Sequence, residues 1–167
     1  MCVSTWVKAG KAVVGVCLGA QLIGTALGAA HGHSPEKEIG KFPITLTPEG
    51  RAHPLLAAFP ATMEVGHWHG DMPGLTPAAK VLAYSEGCPR QIIEFGELVY
   101  GFQCHMELTR DVVELLIEAS EAELSSLKGR TFVQPPEVLR THDYGTMNRT
   151  LVTFLDKLVV RYAASAR

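Results

Sequence analysis

The chain has 167 residues, of which 47% are hydrophobic and 19% are charged, so it can build one domain with a substantial core. Its formal net charge of −2 provides no bulk attraction to nucleic acid or to an anionic membrane. No apolar run approaches the roughly 18 residues that a membrane-spanning helix needs, and we expect no signal peptide.

A short strand and a helix flank a cysteine near the front of the chain. The strand-forming run Lys11–Val14 leads into Gly15-Val16-Cys17-Leu18-Gly19, and helix-forming residues follow. A nucleophile between two glycines at a strand-to-helix turn is the layout of a nucleophile elbow. The glycines leave room for a sharp turn, and the start of the helix favours the thiolate of Cys17. The pattern predicts Cys17 as an activated nucleophile, and the four cysteines of the chain indicate a reducing, cytoplasmic setting rather than a disulfide framework.

The middle of the chain is predicted to be a series of short strands separated by turns. Alternating or β-branched residues bounded by glycine and proline indicate each of them. We expect a loop over Ala30–Pro35 and a short helix over His53–Phe59. The predicted strands are Lys41–Thr47, Met63–His69, Val81–Ser85, Arg90–Phe95 and Leu98–Gln103.

One of these strands ends in a histidine-rich sequence, His67-Trp68-His69-Gly70-Asp71. It matches the first five residues of the His-x-His-x-Asp-His motif of metallo-β-lactamase-type hydrolases, and two histidines two apart on a strand can share a metal. The next residue is Met72 where that motif requires histidine, and a metal would leave the cysteine elbow unexplained. We therefore expect neither a metal nor a cofactor.

A candidate base for Cys17 follows the last predicted strand. His105 and Glu107 are two residues apart, so on a strand they point to the same face. A carboxylate behind an imidazole fixes its tautomer and stabilises the imidazolium. The spacing predicts a triad of Cys17, His105 and Glu107, with the neighbouring Cys104 directed into the core.

The remainder of the chain is predicted to be helical. Thr109 is a candidate N-cap for a long helix that continues through Glu123. Two prolines interrupt the segment Val133–Arg140. The last segment, Met147–Ala164, has apolar residues at helical spacing and predicts a packing helix.

Together, Gly15–Gln21 and Gln103–Glu107 resemble the class I glutamine amidotransferases, whose second motif usually reads Gln-Phe-His-Pro-Glu. His69-Gly70-Asp71 is similar to the subgroup that looks like the amidotransferase domain of GMP synthase. The resemblance runs from about Lys11 to about Thr109. It implies a flavodoxin-like, three-layer α/β fold, with a mostly parallel sheet between flanking helices.

The resemblance also implies an activity and a set of binding residues. The activity is hydrolysis of the glutamine side-chain amide, with Cys17 as nucleophile, His105 as acid and base, and Glu107 as its orienting carboxylate. The backbone N–H of Leu18 would hold the oxyanion. The other residues implied to contact glutamine are Gln21 and the backbone around Trp68, Gly70 and Asp71.

The front of the chain departs from the family pattern. The family places its first strands and a Gly-rich loop before the elbow, whereas 14 residues precede Gly15 here. We therefore expect one amidotransferase-like domain over residues 1–167 that lacks those strands and lacks one of two oxyanion donors, which predicts low activity.

Without those strands, part of the sheet would be exposed to solvent, so we expect a homodimer or a partner chain to cover it. Two alternatives stay open: a γ-glutamyl peptide hydrolase acting through the same triad, or a catalytically weak interaction module. The sequence contains no synthetase domain, so a partner would supply any acceptor for ammonia.

Overall fold

Six strands form a single sheet in the order β1-β6-β5-β4-β2-β3 in the computed structural model, which describes residues 3–165. The strands are β1 (Val13–Val16), β2 (Gly32–Leu46), β3 (Thr62–Met72), β4 (Lys80–Tyr84), β5 (Ile92–Gly96) and β6 (Val99–Phe102). The helices are α1 (Val3–Lys8), α2 (Leu18–Ala26), α3 (Pro48–Ala52), α4 (Arg110–Ala119), α5 (Glu121–Ser126), α6 (Pro136–Leu139) and α7 (Gly145–Ser165), with a 3-10 turn at Pro54–Leu56.

The sheet is mixed rather than mostly parallel. Strand β1 runs parallel to β6, and the other four pairings are antiparallel. Short connections explain this pattern, because a tight turn such as the one between Gly96 and Val99 can join only antiparallel neighbours. The parallel pair is joined by the long intervening segment that such a pair requires.

Helices cover both faces of the sheet. On one face, Val3 and Val7 of α1 and Ile23 of α2 pack with Ile93 and Phe95 of β5. On the other face, α7 places Phe154 edge-on to two aromatic rings of β6, with ring centroids 5.2 Å from Tyr100 and 5.0 Å from Phe102. The helix–sheet–helix layering is the arrangement expected from the sequence.

Several local predictions are confirmed and two are corrected. Thr109 caps α4, because its hydroxyl accepts the Val112 N–H. The predicted long helix ends at Ser120, where α5 begins after a break. The predicted loop over residues 30–35 is partly strand, since β2 starts at Gly32 and pairs with β3. In the part of the chain that the structure describes, no helix is both long and apolar enough to cross a membrane.

The parallel pair of β1 and β6 positions the residues of the candidate active site. The register aligns Val16 with Phe102 at the carboxyl ends of β1 and β6. The residues that follow these two strands therefore emerge side by side at one edge of the sheet, which is where open α/β sheets bind ligands. Cys17 follows β1, and Gln103 follows β6.

Candidate active site

Cys17 occupies a strained turn between β1 and α2. Its φ of 51° and ψ of −109° make it the one non-glycine residue with positive φ among residues 3–165. The turn is held by the Cys17 N–H, which donates to the Phe102 carbonyl at 2.7 Å. A Cβ at Gly15 would lie 2.4 Å from the backbone carbon of Gly19, so the turn requires glycine at position 15. Strain at this position is typical of a nucleophile elbow.

His105 and Glu107 lie together, as predicted from their spacing. The His105 Nδ1 is 2.6 Å from the Glu107 carboxylate, and only 16% of the His105 side chain is exposed. Two backbone hydrogen bonds tie His105 to Gly66 of β3, at 3.1 and 2.7 Å. The strand therefore fixes the backbone of the histidine, and the carboxylate fixes its ring.

The Cys17 thiol and the His105 imidazole are electrostatically coupled, so that each shifts the pKa of the other. Burial raises the pKa of Cys17, but the hydrogen bond and charge of His105, the Leu18 N–H and the Gln103 amide outweigh it, so the pKa falls below its usual value. Burial lowers the pKa of His105, but Cys17 and Glu107 outweigh it and raise that pKa to about 9. Both shifts favour the thiolate form of Cys17 and the imidazolium form of His105.

The charge on His105 predicts a pH-dependent contribution to stability. Replacing Glu107 by glutamine keeps a hydrogen-bond acceptor but removes the negative charge, so the pKa of folded His105 should fall. When folding raises the pKa of a histidine, the protonated histidine stabilises the folded state. This stabilisation is fully present below the pKa of the unfolded chain, about 6.5, and is lost as the pH rises through the pKa in the folded protein. For His105 the folded value is about 9. In urea unfolding, Glu107→Gln should destabilise the protein most near about pH 6 and hardly at all near about pH 10; equal destabilisation at both would contradict this account.

Gln103 is a site residue to which the sequence analysis assigned no role. Its Nε2 lies 3.4 Å from the Cys17 sulfur, and its Oε1 accepts from the Gln21 amide at 3.1 Å. Gln21 is only 7% exposed and lies behind Gln103. The predicted substrate contact of Gln21 therefore remains a prediction, and the observed contact of Gln21 is with Gln103. The Leu18 N–H interacts with the Cys17 sulfur, and its oxyanion role stays a prediction; the Leu18 side chain is 63% exposed.

Strand β3 brings the other predicted binding residues to the same edge. The Trp68 carbonyl oxygen lies 3.9 Å from the Cys17 sulfur. Gly70 and Asp71 follow near the end of the strand, both half-buried. The Asp71 carboxylate is 2.7 Å from the Nδ1 of the exposed His33. The backbone of Trp68 is thus beside the nucleophile, and Asp71 is on the rim.

His67, His69 and Asp71, the residues of the metal-binding alternative, do not assemble as a ligand set. His69 contacts the carbonyl of Asp71 rather than its carboxylate, which faces His33. Both His67 and His69 are buried, and each lies 3.3 Å from the Gln91 amide nitrogen.

A second unpredicted residue comes from the C-terminal helix. The Asn148 amide of α7 donates to the carbonyls of Met106, at 2.6 Å, and Leu108, at 3.0 Å. These residues flank Glu107, so α7 fixes the segment that presents the carboxylate. The local sequence around Asn148 contains no signal for this contact, because the two partners are 40 and 42 positions away.

Comparison with known proteins identifies similar sequences. A model of the family "Glutamine amidotransferase class-I" matches residues 1–115. The chain is 55% identical over 157 residues to the glutamine amidotransferase-like protein YfeJ of Salmonella typhimurium, covering 94% of this chain and 66% of YfeJ. It is 36% identical over 100 residues to the glutamine-hydrolyzing GMP synthase of Aeropyrum pernix, covering 59% of this chain and 19% of that protein. The chain therefore spans about two thirds of YfeJ and about a fifth of that GMP synthase.

Solved structures with the same fold agree with the sequence matches. The crystal structure of SMU.1228c superposes with a TM-score of 0.91 at 51% identity, covering 94% of this chain and 67% of that one. A glutamine amidotransferase from Methylobacillus flagellatus superposes with a TM-score of 0.82 at 28% identity, covering 95% of this chain and 66% of that one. These likenesses confirm the predicted α/β class, with its central sheet and flanking helices.

Proposed function

Because the chain belongs to the class I glutamine amidotransferase family, we propose that it hydrolyses the side-chain amide of glutamine through Cys17, His105 and Glu107. The observation that carries the proposal is that Cys17, in its strained turn, is electrostatically coupled to an imidazole that a carboxylate holds. Cys17 and His105 shift each other's pKa, and His105 is 2.6 Å from Glu107. A thiol, a base and an orienting carboxylate in this order are the parts that nucleophilic catalysis needs.

The first half of the reaction forms an acyl-enzyme. The Cys17 thiolate attacks the amide carbon of glutamine, and a C–S bond forms as the C–N bond breaks. The His105 imidazolium gives its proton to the leaving nitrogen, which departs as ammonia. The product on the protein is a γ-glutamyl thioester.

The second half releases glutamate. His105, now neutral, takes a proton from water, and the resulting hydroxide attacks the thioester carbon. The C–S bond breaks, the Cys17 thiolate returns with the imidazolium, and Glu107 holds the ring in one tautomer throughout.

Backbone groups around the turn are suited to the charge that develops during attack. The Leu18 N–H, which faces the sulfur, is our candidate donor to the oxyanion. The backbone of Trp68, Gly70 and Asp71 is our candidate for holding the amino and carboxyl groups of glutamine. Gln21 acts in this scheme through Gln103, whose amide it contacts at 3.1 Å.

We propose that the protein works as a homodimer or with a partner chain. The outer edge of β1, which pairs only with β6 among the described residues, supports a contact on that side. We also propose a reducing, cytoplasmic setting, which is supported by the three cysteines within residues 3–165, all of them free.

The test is the release of ammonia and glutamate from glutamine. We expect equal amounts of both products, at a rate that Cys17→Ala lowers by about 10³-fold or more. Cys104→Ser is the matched control, since Cys104 is fully buried in the core. Light scattering of the same samples gives the oligomeric state. Glutamine hydrolysis that persists in Cys17→Ala, or no hydrolysis by the native chain alone or as a dimer, would reject the proposal.

A further inference from the structure

A cluster of buried polar side chains surrounds His67 and His69 of β3. It is formed by residues of β2, β3 and the segment between β4 and β5, and none of them is more than 7% exposed. Its members are Glu38, His67, His69, Ser85, Cys88 and Gln91. The proposed hydrolysis of glutamine uses none of these side chains.

The neutral forms of two histidines direct lone pairs into the cluster. The His67 Nε2 lies 3.3 Å from the Phe42 carbonyl, and the His69 Nδ1 lies 3.1 Å from the Asp71 carbonyl. A carbonyl oxygen can only accept, so these two nitrogens carry the hydrogens in the neutral rings. The remaining nitrogens therefore present lone pairs to Glu38, at 3.6 Å from His67 and 3.3 Å from His69.

The cluster contains more acceptors than hydrogens. The Gln91 amide nitrogen lies 2.7 Å from Glu38, 2.8 Å from Ser85 and 3.3 Å from each imidazole, yet it has only two hydrogens. One carboxylate oxygen of Glu38 and the amide oxygen of Gln91 have no hydrogen-bond partner among the described residues. Turning the Gln91 amide over would add a further acceptor to the centre. The buried Glu38 carboxylate thus faces the lone pairs of two imidazoles, and a positive charge is needed beside it to offset the cost of burial.

We propose that this cluster binds a zinc ion through the carboxylate of Glu38, the Nε2 of His69 and the thiolate of Cys88. These three ligand atoms lie within 4.8 Å of one another. The 3.3 Å between His69 and Glu38 is close to the separation of two ligands on tetrahedral zinc with bonds of about 2.0–2.1 Å. The cluster thus offers the mixed nitrogen, oxygen and sulfur donors that zinc accepts.

Charge and hydrogen bonding both favour this ion. Zinc binding releases the thiol proton of Cys88 to solvent, and two anionic ligands then neutralise the divalent cation inside the protein. The contact of His69 with the Asp71 carbonyl is the outer hydrogen bond that metal-ligating histidines almost always make. The sequence analysis did not find this set because its members are up to 50 positions apart in the chain, from residue 38 to residue 88.

The bound ion would join three segments behind the candidate active site. Glu38 belongs to β2, His69 to β3, and Cys88 to the connection between β4 and β5. Since β3 also carries Trp68, whose carbonyl is 3.9 Å from the Cys17 sulfur, zinc would stabilise the strand that lines the nucleophile. We assign the ion to holding this strand, outside the chemical step.

The test uses Cys17→Ala protein, which removes the other thiol that has an imidazole beside it. Metal-free protein is titrated with Co²⁺, and we expect one equivalent to bind with a thiolate-to-cobalt charge-transfer band that Zn²⁺ abolishes. Adding Cys88→Ser should remove the band. Adding His69→Gln should weaken zinc binding by more than the roughly 10- to 100-fold that loss of an outer hydrogen bond costs. Cys104→Ser, at another buried cysteine, should leave both the band and the affinity unchanged.

Two results would overturn the proposal. The first is the lack of a thiolate-to-cobalt band in folded Cys17→Ala protein. This measurement leaves the cluster residues unchanged, so it does not depend on whether the cluster variants fold. The second is zinc binding of unchanged affinity in folded Cys88→Ser protein. The first would mean that the cluster holds no thiolate-bound ion, and the second would exclude Cys88 as a ligand.

Discussion

Iodoacetamide is expected to alkylate Cys17 at least about 100-fold faster than Cys88 or Cys104 at pH 7, because Cys17 is only half-buried and has a lowered pKa. Burial raises the pKa of both Cys88 and Cys104, and neither side chain is accessible to reagent. Reactivity follows the thiolate fraction, and each pKa unit changes that fraction about tenfold. Timed alkylation of folded protein followed by peptide mass mapping gives the three rates.

His105 is the control for the cause of this reactivity. In His105→Gln the thiolate loses its main charged partner, so the midpoint of the pH–rate curve for Cys17 should move to higher pH. Labelling of Cys88 or Cys104 before Cys17, or a curve that His105→Gln leaves unchanged, would refute the thiolate and imidazolium pair.

Gly15→Ala is expected to destabilise the fold by about 1–3 kcal/mol or more, as overpacking of a rigid site does. The new Cβ would lie 2.4 Å from the backbone carbon of Gly19 and 2.5 Å from its oxygen. Both atoms belong to the first turn of α2 and cannot rotate away as a side chain could. In a chain of this size each kcal/mol corresponds to about 2–4 °C in Tm, so thermal unfolding measures the effect.

Gly19→Ala is the matched control at the other glycine of the turn. A Cβ there meets nothing within 4 Å, and alanine is the better helix former by up to about 1 kcal/mol. We expect its Tm to be equal to or above that of the native chain. Equal Tm values for the two variants would contradict the observed close approach of β1 and α2.

Local pattern predicted the nucleophile turn and the His105–Glu107 pair well, since each depends on residues close together in sequence. The glycine spacing indicated the sharp turn at Cys17, and the two-residue spacing placed the imidazole beside the carboxylate. Cys104 points into the core, as alternation along a strand predicts.

Pairing over long distances explains what the sequence did not predict. The mixed sheet depends on which strands meet, and periodicity within a strand does not specify its partner. The contact of Gln21 with Gln103, which is 82 positions away, has no signal in the local sequence. The contact of Asn148 with the segment around Glu107 and the buried cluster around Glu38 also depend on the folded arrangement of distant residues.

The central claim is that Cys17 forms a covalent γ-glutamyl intermediate, and intact-mass spectrometry of acid-quenched mixtures with glutamine tests it most directly. We predict a mass increase of one glutamyl group, mapped to Cys17 by peptide analysis and absent from Cys17→Ala. The increase should disappear when hydroxylamine cleaves the thioester. A glutamyl group on any other residue, or glutamate formed at the native rate by Cys17→Ala, would contradict the account.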